Sequence, residues 1–458
     1  MLRWSVSSRA RLRSLLGAMA LSACSWSRFD EVSDDPPVVA LKRPGALESG
    51  FGIGLASVGN AESVQLLSIG SSPRSRAAVY ELGVSDSPLV DAIDTGHCDS
   101  DEETLCASLS TPVGLARAAG PSGEFEFCFI TGIGAGSNGW GLLARCADDT
   151  QFELPVPDLV EEELIRPILD GETIPEPVML AVDRAEAPAL LAGVPSLATA
   201  FFYAPLSRAP VELESSSNEV DESFGSAVAV LDADGDRLFA VAAPEQGNVW
   251  LFRMVGTGAT ARGEPIGCLG GISGLGRALS AGRVDEDEFD DLVIADEKNV
   301  TVLAGDVLAE LPVSSSVACS FASLPEGALL GSFGCGSTRG VEGCSGSEFG
   351  AALAVGDLDG DGDGEVIVGA PRMTVRGESG AGALLIFDVE GDDPHSFAEV
   401  LFASSLEQND RLGAALATPR LATRDILAAG APGGAKTFLF YCPEILPSNL
   451  RAGSRRCQ

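Results

Sequence analysis

Between positions 357 and 365 the chain reads Asp-Leu-Asp-Gly-Asp-Gly-Asp-Gly-Glu, with a carboxylate at every second residue. In a tight loop Asp357, Asp359 and Asp361 can wrap around one point, and Gly362 supplies the sharp turn this needs. A hard cation such as calcium takes about six to eight oxygens at about 2.3–2.6 Å. A backbone carbonyl near Asp363 and the Glu365 carboxylate would complete that set. An EF-hand begins in the same way but requires Glu at its twelfth position, where this chain has Val368 inside a β-like run. Clustered carboxylates repel one another unless a cation neutralises them, so the loop predicts bound Ca2+. Its role is expected to be structural, because no recognisable nucleophile or base stands beside it.

The loop sits between two short apolar strands, and that arrangement recurs. A Phe-Gly or Leu-Gly mark opens copies at Phe51-Gly52, Phe224-Gly225, Leu275-Gly276, Phe349-Gly350 and Leu412-Gly413. Degenerate copies start at Val113-Gly114 and near Val178-Met179. After each mark come a strand, a loop and a second apolar strand. In several copies that second strand ends at a Gly-Ala-Pro-like turn, as in Val366-Ile367-Val368-Gly369-Ala370-Pro371. A third strand rich in β-branched or aromatic residues follows, for example Asn248-Val249-Trp250-Leu251-Phe252. A period of roughly 60 residues predicts seven units of about four strands. Composition agrees: 54 Gly and 26 Pro among 458 residues interrupt any 3.6-residue apolar period outside the N-terminus.

These residues resemble the FG-GAP repeat of integrin α-chain head domains, which many bacterial exported proteins also carry. The resemblance spans about residues 48–445 and implies an all-β fold, a seven-bladed β-propeller. It assigns metal ligands to positions one, three, five and nine of the loop, here Asp357, Asp359, Asp361 and Glu365, the last departing from Asp. Asp232, Asp234 and Asp236 match positions one, three and five as a weaker site, but Arg237 replaces the glycine and Ala240 stands at position nine. Asp285, Asp287 and Asp291 match positions three, five and nine. Arg283 holds position one there, and its guanidinium could pair with those carboxylates in place of an ion. The last copy, with Arg420 at one and Ala428 at nine, is expected to be metal-free.

The N-terminus reads as an export signal. Arg3, Arg9, Arg11 and Arg13 precede a short apolar core, and Leu21-Ser22-Ala23-Cys24 resembles a bacterial lipobox. Residues 1–23 are thus expected to be a signal peptide, and 24–47 an acylated Cys24 with a solvated tether. The propeller is expected at 48–445 and a tail at 446–458. The ten other cysteines, an even number, suit disulfides in an oxidising compartment. Closeness in sequence pairs Cys98 with Cys106, Cys128 with Cys146, Cys335 with Cys344 and Cys442 with Cys457, leaving Cys268 for Cys319.

The formal charge is −36, or −40 once the four signal arginines are removed, which excludes nucleic acid as a partner. Only His97 and His395 occur, and no Gly-x-Ser-x-Gly elbow or phosphate-cradling loop is present. The reading is therefore a monomeric, non-enzymatic binding or scaffold module for protein or glycan partners. It is expected to be exported and lipid-anchored at a bacterial outer membrane, on its periplasmic or surface face. The alternative is an envelope polysaccharide hydrolase or lyase with paired carboxylates on a propeller face.

Overall fold

The computed structural model describes residues 38–41, 50–59, 64–70, 76–82, 89–94, 112–119, 124–136, 139–146, 151–155, 179–183, 189–203, 210–215, 223–256, 261–314, 317–321, 324–335, 344–358, 360–389, 397–401, 403, 405–421 and 424–440. The chain opens with strand β1 (Val38–Ala40). The first sheet holds β2 (Gly54–Gly59), β3 (Val64–Ile69), β4 (Arg76–Leu82) and β5 (Leu89–Asp94). The second holds β6 (Val113–Ala119), β7 (Glu124–Gly136), β8 (Gly139–Cys146) and β9 (Gln151–Pro155). The third holds β10 (Met179–Asp183), β11 (Ala189–Val194), β12 (Thr199–Tyr203) and β13 (Val211–Leu213). The fourth holds β14 (Ala227–Ala233), β15 (Asp236–Ala243), β16 (Asn248–Val255) and β17 (Arg262–Gly270). In the fifth are β18 (Ala278–Gly282), β19 (Asp291–Ala295), β20 (Asn299–Leu303) and β21 (Leu329–Gly334), with a short helix α1 (Gly305–Ala309) after β20. The sixth comprises β22 (Leu353–Gly356), β23 (Glu365–Ala370), β24 (Ala383–Phe387) and β25 (Phe397–Leu401). The chain ends in β26 (Ala415–Ala417), a small hairpin of β27 (Arg420–Leu421) and β28 (Arg424–Asp425), β29 (Leu427–Ala431) and β30 (Lys436–Phe440).

The seventh sheet has the order β26, β29, β30, β1, so its outermost strand comes from the other end of the chain. This corrects the expected tether: within 24–47, Val38 and Val39 pair with Phe440 and Leu439. β-Branched residues opposite aromatic and aliphatic ones favour a sheet over a solvated linker. The first strands of successive sheets touch in a cycle, β2 to β6, β10, β14, β18, β22, β26 and back to β2. A cavity of about 500 Å3 lies among first strands of the first, second, fifth, sixth and seventh sheets.

The recurring marks explain how sheets stack. Phe51, Phe224 and Phe349 are buried and meet Tyr80, Phe252 and Phe387 of their own third strands edge-on, at centroid distances of 6.5, 6.2 and 6.2 Å. The following glycine donates its N–H to its own second strand, as Gly413 does to the Gly430 carbonyl at 3.0 Å. Its other side lies against the second strand of the preceding sheet. A Cβ on Gly369 would fall 2.1 Å from the Gly413 carbonyl oxygen, and one on Gly430 would fall 1.9 Å from that of Gly52. The same contact therefore joins sheet six to seven and seven to one. Between the sheets lie apolar layers, such as Val293, Val302, Val355, Val366 and Val368 between the fifth and sixth. Strands such as β24 are buried along their whole length, which matches their continuously apolar, non-alternating sequence.

Three disulfides join the expected pairs Cys128–Cys146, Cys268–Cys319 and Cys335–Cys344. Cys24, Cys98, Cys106, Cys442 and Cys457 lie outside the described residues.

Candidate calcium loops

The β22–β23 ladder ends at Gly356 opposite Glu365, and the acidic loop fills the gap between them. Asp357 and Glu365 are buried at its base, whereas Asp361 is exposed at its tip. The Asp357 Oδ1 accepts the Gly360 N–H at 2.6 Å, and Glu365 Oε2 accepts that of Leu358 at 2.7 Å. Asp361 Oδ1 accepts the Asp363 N–H at 3.1 Å. Gly360 and Gly362 have φ of 83° and 117°, so the turn runs through conformations that side chains disfavour. Burial raises the Asp357 carboxyl above the usual carboxylate range and the Asp361 charge adds to this; the Gly360 N–H and the Arg420 guanidinium oppose it. Asp359 lies outside the described residues. The donors are all oxygen and mostly anionic, the chemistry a hard cation selects.

The sister loop between β18 and β19 has the same length, closing at Gly282 opposite Asp291. Carboxylate oxygens of Asp285, Asp287 and Asp291 lie within 4.8 Å of one another, a convergence found for no other trio of potential ligands among the described residues. Ligands on opposite sides of a calcium ion stand about 4.6–5.2 Å apart, so this cluster fits such an ion. Asp291 is fully buried and accepts N–H groups from Val284 at 2.8 Å and Gly305 at 2.9 Å. Burial pushes its carboxyl up to about 7, against those two hydrogen bonds. The exposed Arg283, expected to pair with these carboxylates, forms no ion pair among the described residues. The loop that sequence spacing placed behind both the 357–365 loop and Asp232, Asp234 and Asp236 thus carries the closest acidic cluster among the described residues.

The weaker candidate is built differently. Asp232 pairs with Arg237 and Ala233 with Asp236, leaving Asp234 and Gly235 as a two-residue hairpin turn with φ of 52° and 86°. Positive φ at both residues is the type I′ geometry that Asp-Gly favours. Asp232, Asp234 and Asp236 therefore belong to a tight turn and do not converge. The last copy is equally tight: Arg420 pairs with Asp425 and Leu421 with Arg424. Loop length separates the two groups. Leu353 pairs with Val368 and Leu279 with Ile294, but Val228 pairs with Val241, Leu416 with Ala429 and Leu55 with Ser68. Counted from the mark, the second strand returns two residues earlier in the first, fourth and seventh sheets. The signal is present in sequence: Pro371 follows Phe349 by 22 residues, while Pro244 and Pro432 follow Phe224 and Leu412 by 20.

Each loop is also tied to a neighbouring sheet. The Asp357 N–H donates to Asp425 Oδ2 at 3.0 Å, and the Asp425 N–H donates to the Asp357 carbonyl at 2.7 Å. In the same way Asp232 N–H donates to Asp290 Oδ2 at 3.1 Å, and Asp290 N–H to the Asp232 carbonyl at 2.9 Å.

Small four-stranded antiparallel sheets, repeated along the chain, define an all-β repeat protein. One copy of the repeat, residues 349–387, matches the FG-GAP repeat family, from the Phe349-Gly350 mark through the acidic loop to the end of β24. FG-GAP repeats often bind Ca2+. No curated protein matches the chain.

Proposed function

We propose that the chain is a seven-bladed β-propeller that works as a non-enzymatic binding or scaffold module, with calcium stiffening the longer hairpin loops. The observation that carries this reading is the unbroken cycle of contacts among seven first strands, with β1 completing the last sheet. A ring of this kind gathers loops from every sheet onto two broad faces, which suits recognition of a protein or glycan. Calcium would be held by Asp357, Asp361 and Glu365, together with Asp359, and by Asp285, Asp287 and Asp291. Its charge would neutralise carboxylates that otherwise repel and so fix the strand connections. Asp363 would contribute through its backbone carbonyl.

The N-terminal residues support export and attachment to a bacterial outer membrane through an acylated Cys24. Membrane fractionation of a Cys24→Ser variant tests the anchor: the wild type is expected with the membrane and the variant in the soluble fraction. Crosslinking on intact cells tests the binding role. Specific partners, displaced by excess purified protein, are the expected result. Depolymerisation of envelope polysaccharide by purified protein, abolished by single carboxylate changes, would instead establish the hydrolase or lyase alternative.

A further inference from the structure

We infer that Arg420, on the short hairpin of the seventh sheet, lowers the calcium affinity of the 357–365 loop on the sixth. This rests on the calcium reading above and names a residue that tunes the site from outside its own repeat. Arg420 pairs with Asp425 across the β27–β28 hairpin. The reciprocal backbone and carboxylate bonds between Asp425 and Asp357 fix that hairpin against the base of the acidic loop. Arg420 Nη2 consequently stands 4.0 Å from Asp357 Oδ2, although its side chain is 66% exposed and that of Asp357 only 8%. A cation bound by Asp357 must share that carboxylate with the guanidinium or displace it.

The two outcomes of that competition have opposite signs. In the calcium-free loop Arg420 offsets part of the repulsion between Asp357 and Asp361. In the loaded loop it repels a divalent ion at short range. For an exposed guanidinium in water-like surroundings, the net effect is on the order of threefold to tenfold in affinity, and added salt screens it. The corresponding fourth–fifth sheet contact has the same reciprocal bonds, with Asp232 in place of Asp357 and Asp290 in place of Asp425. Position one of the fifth sheet is likewise an arginine, Arg283, but among the described residues no ion pair joins it to Asp232, so the approach of Arg420 to Asp357 is what the sixth–seventh contact adds.

The test is calcium titration by calorimetry, using an Asp285→Asn/Asp287→Asn parent so that heat reports the 357–365 loop. Arg420→Gln in that parent is expected to bind Ca2+ about three to ten times more tightly at low salt, with the gain shrinking as salt rises. Arg420→Lys, which keeps the charge, should stay near the parent. Unchanged affinity in Arg420→Gln, with a parent that binds calcium, overturns this inference alone. A parent that gives no calcium heat overturns the calcium reading of this loop and the inference together.

Discussion

The hairpins of the fourth and sixth sheets begin from the same Phe-Gly mark and end at the same Ala-Pro turn, yet they use their aspartates differently. In the sixth sheet the strand returns two residues later, and the extra length becomes a loop with two buried carboxylates at its base. In the fourth, Asp232, Asp234 and Asp236 are absorbed into a tight Asp-Gly turn whose backbone is fully paired. The fifth sheet has the longer loop and a convergent trio even though position one is an arginine. Loop length, more than the count of aspartates, decides whether carboxylates can converge. A two-residue turn has no room for a cation among its side chains.

The largest test removes what the two kinds of sheet share. Gly369→Val and Gly430→Val each drive a side chain into the backbone of the next sheet, and each should cost about 3 kcal/mol or more, or prevent folding. Thermal melts with and without calcium should show equal damage. A variant that melts like the wild type would separate the glycine contacts from ring cohesion.

Next comes the difference itself. Chelation should lower the melting temperature, by an amount equivalent to about 2.7 kcal/mol for each loop whose calcium had been present at about 100 times its Kd. Asp357→Ala/Asp359→Ala and Asp285→Ala/Asp287→Ala should each remove part of the calcium response, while Asp232→Ala/Asp234→Ala should leave it intact. A calcium-indifferent wild type breaks the comparison outright.

Asp425→Ala deprives the buried Asp357 N–H of its acceptor and should cost about 1–3 kcal/mol in a denaturant melt. Asp290→Ala, which does the same to Asp232, should cost a similar amount. The smallest effect belongs to the tight turn: Asp234→Asn places a residue better suited to φ of 52° and should stabilise by about 0.5 kcal/mol, with no change in calcium response.

Much of this organisation was legible in the residues. The marks at Phe51, Phe224, Leu275, Phe349 and Leu412 each precede the first strand of a sheet, and three disulfides join the cysteines that spacing and elimination paired. Asp232, Asp234 and Asp236 misled because alternation was read without the interval to Pro244. Val38–Ala40 was hidden because three residues among acidic and proline-rich neighbours carry no periodic signal, and their partner lies at the far end of the chain.

By itself, then, the sequence determined the strands, their turns, the repeat and the acidic loops, because these follow from backbone freedom at glycine, the missing donor of proline and the burial of short apolar runs. Only the tertiary structure decided that Asp285, Asp287 and Asp291 converge, that Asp425 and Arg420 reach Asp357, and that β1 completes the seventh sheet. Convergence depends on strand register. The contacts between sheets join residues tens of positions apart, where no local pattern links them.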